Sequence, residues 1–200
     1  MKSKTDLIEY YDMLIEENND PFRDPQPLRD YMDKWDGKVF LDSMCLSRNE
    51  SVLEIGVGTG RIAAKVLPEC KLFVGIDISQ KTINRANENL VEFSNAHLIC
   101  ADFLKYNFDT TFDVIYSSLT LMHFENKQEF INKVASLMNS NGKFILSIDK
   151  NQDSYIDIGT RKLLIYPDTP DNITLCIMDA KLKIVKRYET QFAHIFVCAK

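Results

Sequence analysis

The chain is short of the residues that several functions need. Its 200 residues hold three histidines, far apart at 97, 123 and 194, and five cysteines at 45, 70, 100, 176 and 198 without close pairing. Zinc sites and disulfide frameworks need paired spacings, so the sequence predicts no metal and reduced, mostly buried thiols in a cytoplasmic protein. No apolar stretch approaches the roughly 18–20 residues of a membrane-spanning helix, and the first residues run into an amphipathic segment instead of an apolar signal core. No run of Lys or Arg occurs and the net charge is −5, which disfavours a broad nucleic-acid surface. Internal repeats and low-complexity segments are absent too. What is present, 45% hydrophobic and 26% charged residues, suffices for the core of one domain of ordinary size.

The pattern along that domain alternates. Leu7, Ile8, Tyr11, Leu14 and Ile15 recur at helical spacing and predict a helix over residues 3–17. Three prolines between 18 and 27 mark a loop, and a second helical region is expected over 28–46. Short apolar runs at 52–55, 72–76, 96–100, 112–116 and 143–148 read as strands. Helical stripes lie between them: 61–67 stopped by Pro68, a helix capped by Ser79, and one carrying Phe130, Val134 and Leu137 closed by a turn at 139–142. Strands alternating with helices imply a parallel sheet covered on both faces. Two extended runs, 183–188 and 192–199, predict a terminal antiparallel hairpin. Residues 149–181 give no clear pattern.

The most informative stretch is Val52-Leu53-Glu54-Ile55-Gly56-Val57-Gly58-Thr59-Gly60-Arg61. A buried strand ends in an acid and breaks into glycines at every second position, so backbone can lie where side chains would collide and a flat ligand can sit on the turn. In such sheets ligands bind beyond the carboxyl ends of strands. Glu54 ends the first strand, Asp77 the second, Asp102 follows the third and Ser117-Ser118 end the fourth. Asp77, 17 residues after Gly60, suits a carboxylate that takes both ribose hydroxyls. Each acid alone also reads as an ordinary strand-end or turn residue; their regular placement carries the argument. The run Gly58-Thr59-Gly60-Arg61-Ile62-Ala63 formally matches a dinucleotide fingerprint, so a nucleotide-linked (NAD or FAD) oxidoreductase is the main rival. A diphosphate beside Glu54 would meet like charge at a cost of several kcal/mol, whereas a sulfonium is favoured there. Arg61 is the dissenting residue.

The acid-x-Gly-x-Gly-x-Gly run resembles motif I of class I S-adenosylmethionine-dependent methyltransferases at all four positions. Gly75-Ile76-Asp77-Ile78-Ser79, Cys100-Ala101-Asp102-Phe103 and residues 112–119 resemble the family's ribose, adenine and fourth-strand motifs in order. The turn at 139–142 lacks the usual Pro-Gly pair. The resemblance implies a three-layer Rossmann-like α/β sandwich with a seven-stranded, mostly parallel sheet. It implies one domain over 1–200, with N-terminal helices (1–48) covering the cofactor site of a core over 49–200. It also implies S-adenosyl-L-methionine as cofactor: Glu54, Gly56, Gly58 and Gly60 at its methionine end, Asp77 on the ribose, and Ile78 against the adenine. Asp102 would take the exocyclic amine, with Phe103 beside the ring. Ser117 and Leu119 would pass near the methionine portion, and Tyr11 would contact its carboxylate.

The acceptor expected is a small molecule. The fourth strand lacks the Asn-Pro-Pro-Tyr and Pro-Cys signatures of nucleic-acid- and glutamine-modifying members, and homodimerisation is left open. His123 is the candidate general base by position, though a packed histidine reads the same way. A non-catalytic methyltransferase-like subunit is the remaining alternative.

Overall fold

A computed structural model describes residues 4–157 and 161–200 of the chain. Five strands, β1 (Ser51–Ile55), β2 (Leu72–Asp77), β3 (Ala96–Cys100), β4 (Phe112–Ser118) and β5 (Met138–Asp149), pair in parallel in the order β3-β2-β1-β4-β5. Their apolar side chains alternate between faces, as period two requires. Leu53, Ile55 and Ile115 join one buried cluster, and Val52, Val114 and Tyr116 join the other. The terminal hairpin forms as expected. With β6 (Tyr155–Asp157) and β7 (Lys162–Leu164) apart in a two-stranded sheet, β8 (Lys183–Glu189) and β9 (Ala193–Ala199) complete seven strands, β9 antiparallel to both β5 and β8.

Helices cover both faces. On one side lie α3 (Gly37–Met44), α4 (Ala63–Val66) and α5 (Gln80–Asn89); on the other lie α6 (Lys127–Leu137) and α7 (Pro170–Asp179). Ser79 caps α5 by accepting the Thr82 amide at 3.0 Å. The first helix, α1 (Lys4–Glu16), lies across the end of α5, where Ser79 Oγ donates to Asp12 at 2.7 Å and Lys81 pairs with Glu16.

Two expectations need correction, and one unread segment gains structure. The helix expected over 28–46 is two, α2 (Gln26–Met32) and α3, because Asp36 caps α3 and Gly37 takes a φ of +55° that ends any continuous helix. The turn at 139–142 is a bulge inside β5: between the pairs Phe112↔Met138 and Val114↔Lys143, the longer strand carries the extra residues. The unreadable segment 149–181 contains β6, β7 and α7.

Candidate cofactor and acceptor site

The carboxyl ends of β1, β2, β4 and β5 border a cavity of about 650 Å³, within the range of small-molecule sites. The glycine loop after β1 forms its floor. Gly56, Gly58 and Gly60 all have positive φ, at +81°, +55° and +94°. Their surroundings differ. A Cβ on Gly56 would lie 2.6 and 2.8 Å from Thr120 Cγ2 and Cβ, and one on Gly60 would lie 2.9 Å from Leu90. A Cβ on Gly58 meets nothing within 4 Å. Gly56 and Gly60 therefore allow packing, while Gly58 leaves open the space a ligand needs.

Asp77 ends β2 beside that loop and accepts from the Gly58 and Ser79 amides, each at 3.1 Å. Burial pushes its carboxyl up, against the pull of those amides. Glu54 is set by strand register. It sits opposite Tyr116 across β1 and β4, and the Tyr116 hydroxyl donates to it at 2.7 Å. Burial raises the Glu54 acid well above the usual carboxyl range, more than the Tyr116 hydrogen bond and Arg61 lower it. Glu54 is thus a deeply buried acid whose ionised form a nearby cation would favour.

Ile78, Asp102, Phe103, Leu119 and Tyr11 also line the cavity. Phe103 packs edge-on and tilted among Phe108, Phe124 and Phe130. Leu119 adopts φ +54°, an unusual conformation for a branched residue, just where β4 breaks off. Two expected residues lie outside the lining. Gly60 is packed under Leu90, and Ser117 faces the α6 side of the sheet, where its hydroxyl donates to the Ile55 carbonyl at 3.1 Å. Alternation along β4 puts Ser118 in the cavity wall instead.

The Tyr11 hydroxyl and His123 Nε2 lie 2.7 Å apart. Burial raises the phenol, so Tyr11 keeps its proton and donates to Nε2; the ring proton then sits on Nδ1, which is buried without a partner. Burial, reinforced by the charge of Lys127, lowers His123 to about 4. So weak a base takes a proton poorly from a hydroxyl or ammonium. The arrangement favours a tie between α1 and the end of β4.

The methyltransferase-domain family matches residues 46–189. The chain belongs to the class I S-adenosylmethionine-dependent methyltransferases. An uncharacterised methyltransferase of Schizosaccharomyces pombe is 33% identical over 116 residues, 52% of this chain and 41% of the relative. Malonyl-[acyl-carrier protein] O-methyltransferase 1 of Ilyobacter polytropus is 30% identical over 105 residues, 51% of this chain and 39% of that one. The match thus spans about two fifths of each of these relatives. Magnesium protoporphyrin IX methyltransferase of Synechocystis PCC 6803, solved with bound S-adenosylmethionine, shares the fold with a TM-score of 0.73 at 17% identity, covering 100% of this chain and 98% of that one.

Two features of this methyltransferase domain escaped sequence reasoning. Arg61 is neither loose nor ligand-facing by default. Its guanidinium is paired with Asp36, a residue 2% exposed that also accepts from Ser118 Oγ at 2.9 Å, and lies 3.6 Å from Asp33. The second feature is the stretch after β5. Asp149, Asn151, Asp153, Tyr155, Ile156 and Asp157 line the cavity together with Met32 of α2 and Trp35 of the link between α2 and α3. The spacing of Asp149, Asn151 and Asp153 was the available signal. Among the described residues no group of His, Cys, Asp and Glu could hold a metal ion, and no helix is long and apolar enough to cross a membrane.

Proposed function

We propose that this domain binds S-adenosylmethionine on the glycine loop and directs its methyl group to a small-molecule acceptor held against the wall that follows β5. The observation that carries the reading is the open space over Gly58 beside the half-buried Asp77. When bound, the cofactor supplies an electrophilic methyl on a sulfonium. The residues present fit it. Asp77 would take the ribose diol, Asp102, Phe103 and Ile78, which line the same cavity, would meet the adenine, and Glu54 would offer a counter-charge at the methionine end. The chain's own contribution is alignment and exclusion of water. Leu7 and Tyr11 of α1 close one side, with Tyr11 fixed by His123, and Trp35 and Ile156 contribute to the acceptor side.

An acceptor like that named for the Ilyobacter relative does not follow. A malonyl group carries a carboxylate, and the only guanidinium or ammonium among the described lining residues is Arg61, already paired with Asp36. Titration calorimetry with S-adenosylmethionine, S-adenosylhomocysteine and NAD tests the cofactor assignment. Binding of the first two without NAD is expected, and tight NAD binding with no sulfonium binding would overturn it. Transfer of labelled methyl to components of a metabolite extract separates an enzyme from a non-catalytic binding subunit.

A further inference from the structure

We propose that the acceptor lobe selects a positively charged amine on an apolar body, with Asp149 as its counter-ion; this rests on the methyltransferase reading of the same cavity. Asp149 ends β5, and both of its carboxylate oxygens are held by neutral donors. Trp35 Nε1 donates to Oδ2 at 3.0 Å and the Asn151 amide to Oδ1 at 2.8 Å. These bonds fix the group without supplying a positive charge, and each oxygen keeps a lone pair for another donor. Among the described residues, the nearby cations are engaged elsewhere. Arg61 is paired with Asp36, Lys150 reaches Glu189 and the Thr190 carbonyl, and Lys162 pairs with Asp157. Lys34 lies over the Tyr31 and Phe192 rings, outside the cavity lining.

Asp153 adds a second carboxylate to the same wall. Met32, Trp35, Tyr155, Ile156 and Ile165 line the same cavity, so an apolar body can meet apolar surface while its charged end meets carboxylate. Trp35 serves twice, because its N–H orients Asp149 and its ring, packed against Tyr31 and Phe192, adds apolar surface to the lining. A carboxylate-bearing acceptor would meet like charge on this wall, and a neutral alcohol would leave Asp149 without a cation.

The test uses the full chain saturated with S-adenosylhomocysteine, whose binding is measured first. Phenethylamine and hexylamine are then titrated calorimetrically against their alcohol counterparts, phenylethanol and hexanol, and the carboxylates phenylpropanoate and heptanoate. The amines should bind about tenfold or more tightly than the alcohols, with the carboxylates weakest, and Asp149→Asn should reduce the amine preference to about threefold or less. Equal binding across each set, tighter carboxylate binding, no amine binding at millimolar concentration, or an amine preference unchanged in a folded Asp149→Asn protein would each overturn the assignment. Failure of S-adenosylhomocysteine itself to bind would show in the first titration and would overturn the methyltransferase reading beneath it.

Discussion

Replacing His123 with glutamine should make folding stability less sensitive to acid. In the folded chain the ring is buried against Tyr11, near Lys127, and its pKa falls from 6.5 to about 4. The unfolded ring takes up a proton as pH drops through 6.5, while the folded ring resists until about 4. The unfolded state therefore binds more protons across that window, and stability falls with pH there. For one group with these two values, the loss relative to neutral pH is about 2 kcal/mol at pH 5 and about 3 kcal/mol at pH 4. Urea unfolding of the native and His123→Gln proteins at pH 7 and pH 5 measures it. Glu54, Asp77 and Asp168, whose acids are raised by burial, act in the opposite direction, but they are common to both proteins and cancel in the comparison. Glutamine keeps an amide that can accept from Tyr11, so the tie to α1 need not be lost at neutral pH. If both proteins lose the same stability between pH 7 and pH 5, the ring is solvated and the inferred Tyr11–His123 geometry is wrong.

Further outcomes follow from the same structure. Asp77→Asn should weaken S-adenosylmethionine binding by roughly 1.5–3 kcal/mol, the scale of a charged hydrogen bond, as read by calorimetry; unchanged affinity would contradict a ribose contact. Gly58→Ala should fold with a loss of only about 1–2 kcal/mol, since its Cβ meets open space at positive φ, yet bind the cofactor poorly. Gly56→Ala should lower the melting temperature much more, because the whole Thr120 side chain must move; the reverse order would refute the division between packing and ligand glycines. S-adenosylmethionine binding should release protons from Glu54, tighten as pH rises and depend on the ionisation heat of the buffer, and Glu54→Gln should abolish that dependence. Lys127→Met should destabilise by about 3 kcal/mol or more in urea unfolding, because it leaves Asp168 buried without the ammonium now 2.9 Å away.

The parallel sheet was legible because its signals are local. Each strand is a short apolar run bounded by turn residues, and Ser79 announces α5 by the cap it forms. The break between α2 and α3 was not, since the apolar spacing continues across residues 33–36 and only the Asp36-Gly37 pair marks the stop. At 139–142, residues that form turns in isolation are drawn into β5 as a bulge by pairing on both sides. At the candidate site, Glu54, Asp77, Asp102, Gly56 and Gly58 could be put at the cavity from sequence because strand ends and the loop between them are local signals, whereas Gly60 turned out packed under Leu90. Ser117 was misplaced by one residue, although alternation from Tyr116 would have put Ser118 on the Glu54 face. The segment after β5 stayed opaque because its residues are organised by distant partners. Lys127, for example, donates to the Leu121 and Tyr166 carbonyls and pairs with Asp168.

Charge is where sequence and structure differ most in kind. Read along the chain, Glu54 was a negative charge and Arg61 an unexplained positive one seven residues later. In the fold neither stands alone. Deep burial raises the Glu54 acid more than the donating hydroxyl from β4 lowers it, and Asp36, contributed by the cap of α3, takes up the Arg61 guanidinium. Formal charges at the mouth of the first loop therefore say less about ligand sign than the groups each one faces. The same reasoning gives Asp149 its weight. It borders the cavity on neutral donors, with the neighbouring ammonium and guanidinium groups among the described residues engaged by another carboxylate, a carbonyl or an aromatic face. A positive charge brought by an acceptor would complete that wall, and a negative one would have to displace Asp36 from Arg61 to find a partner.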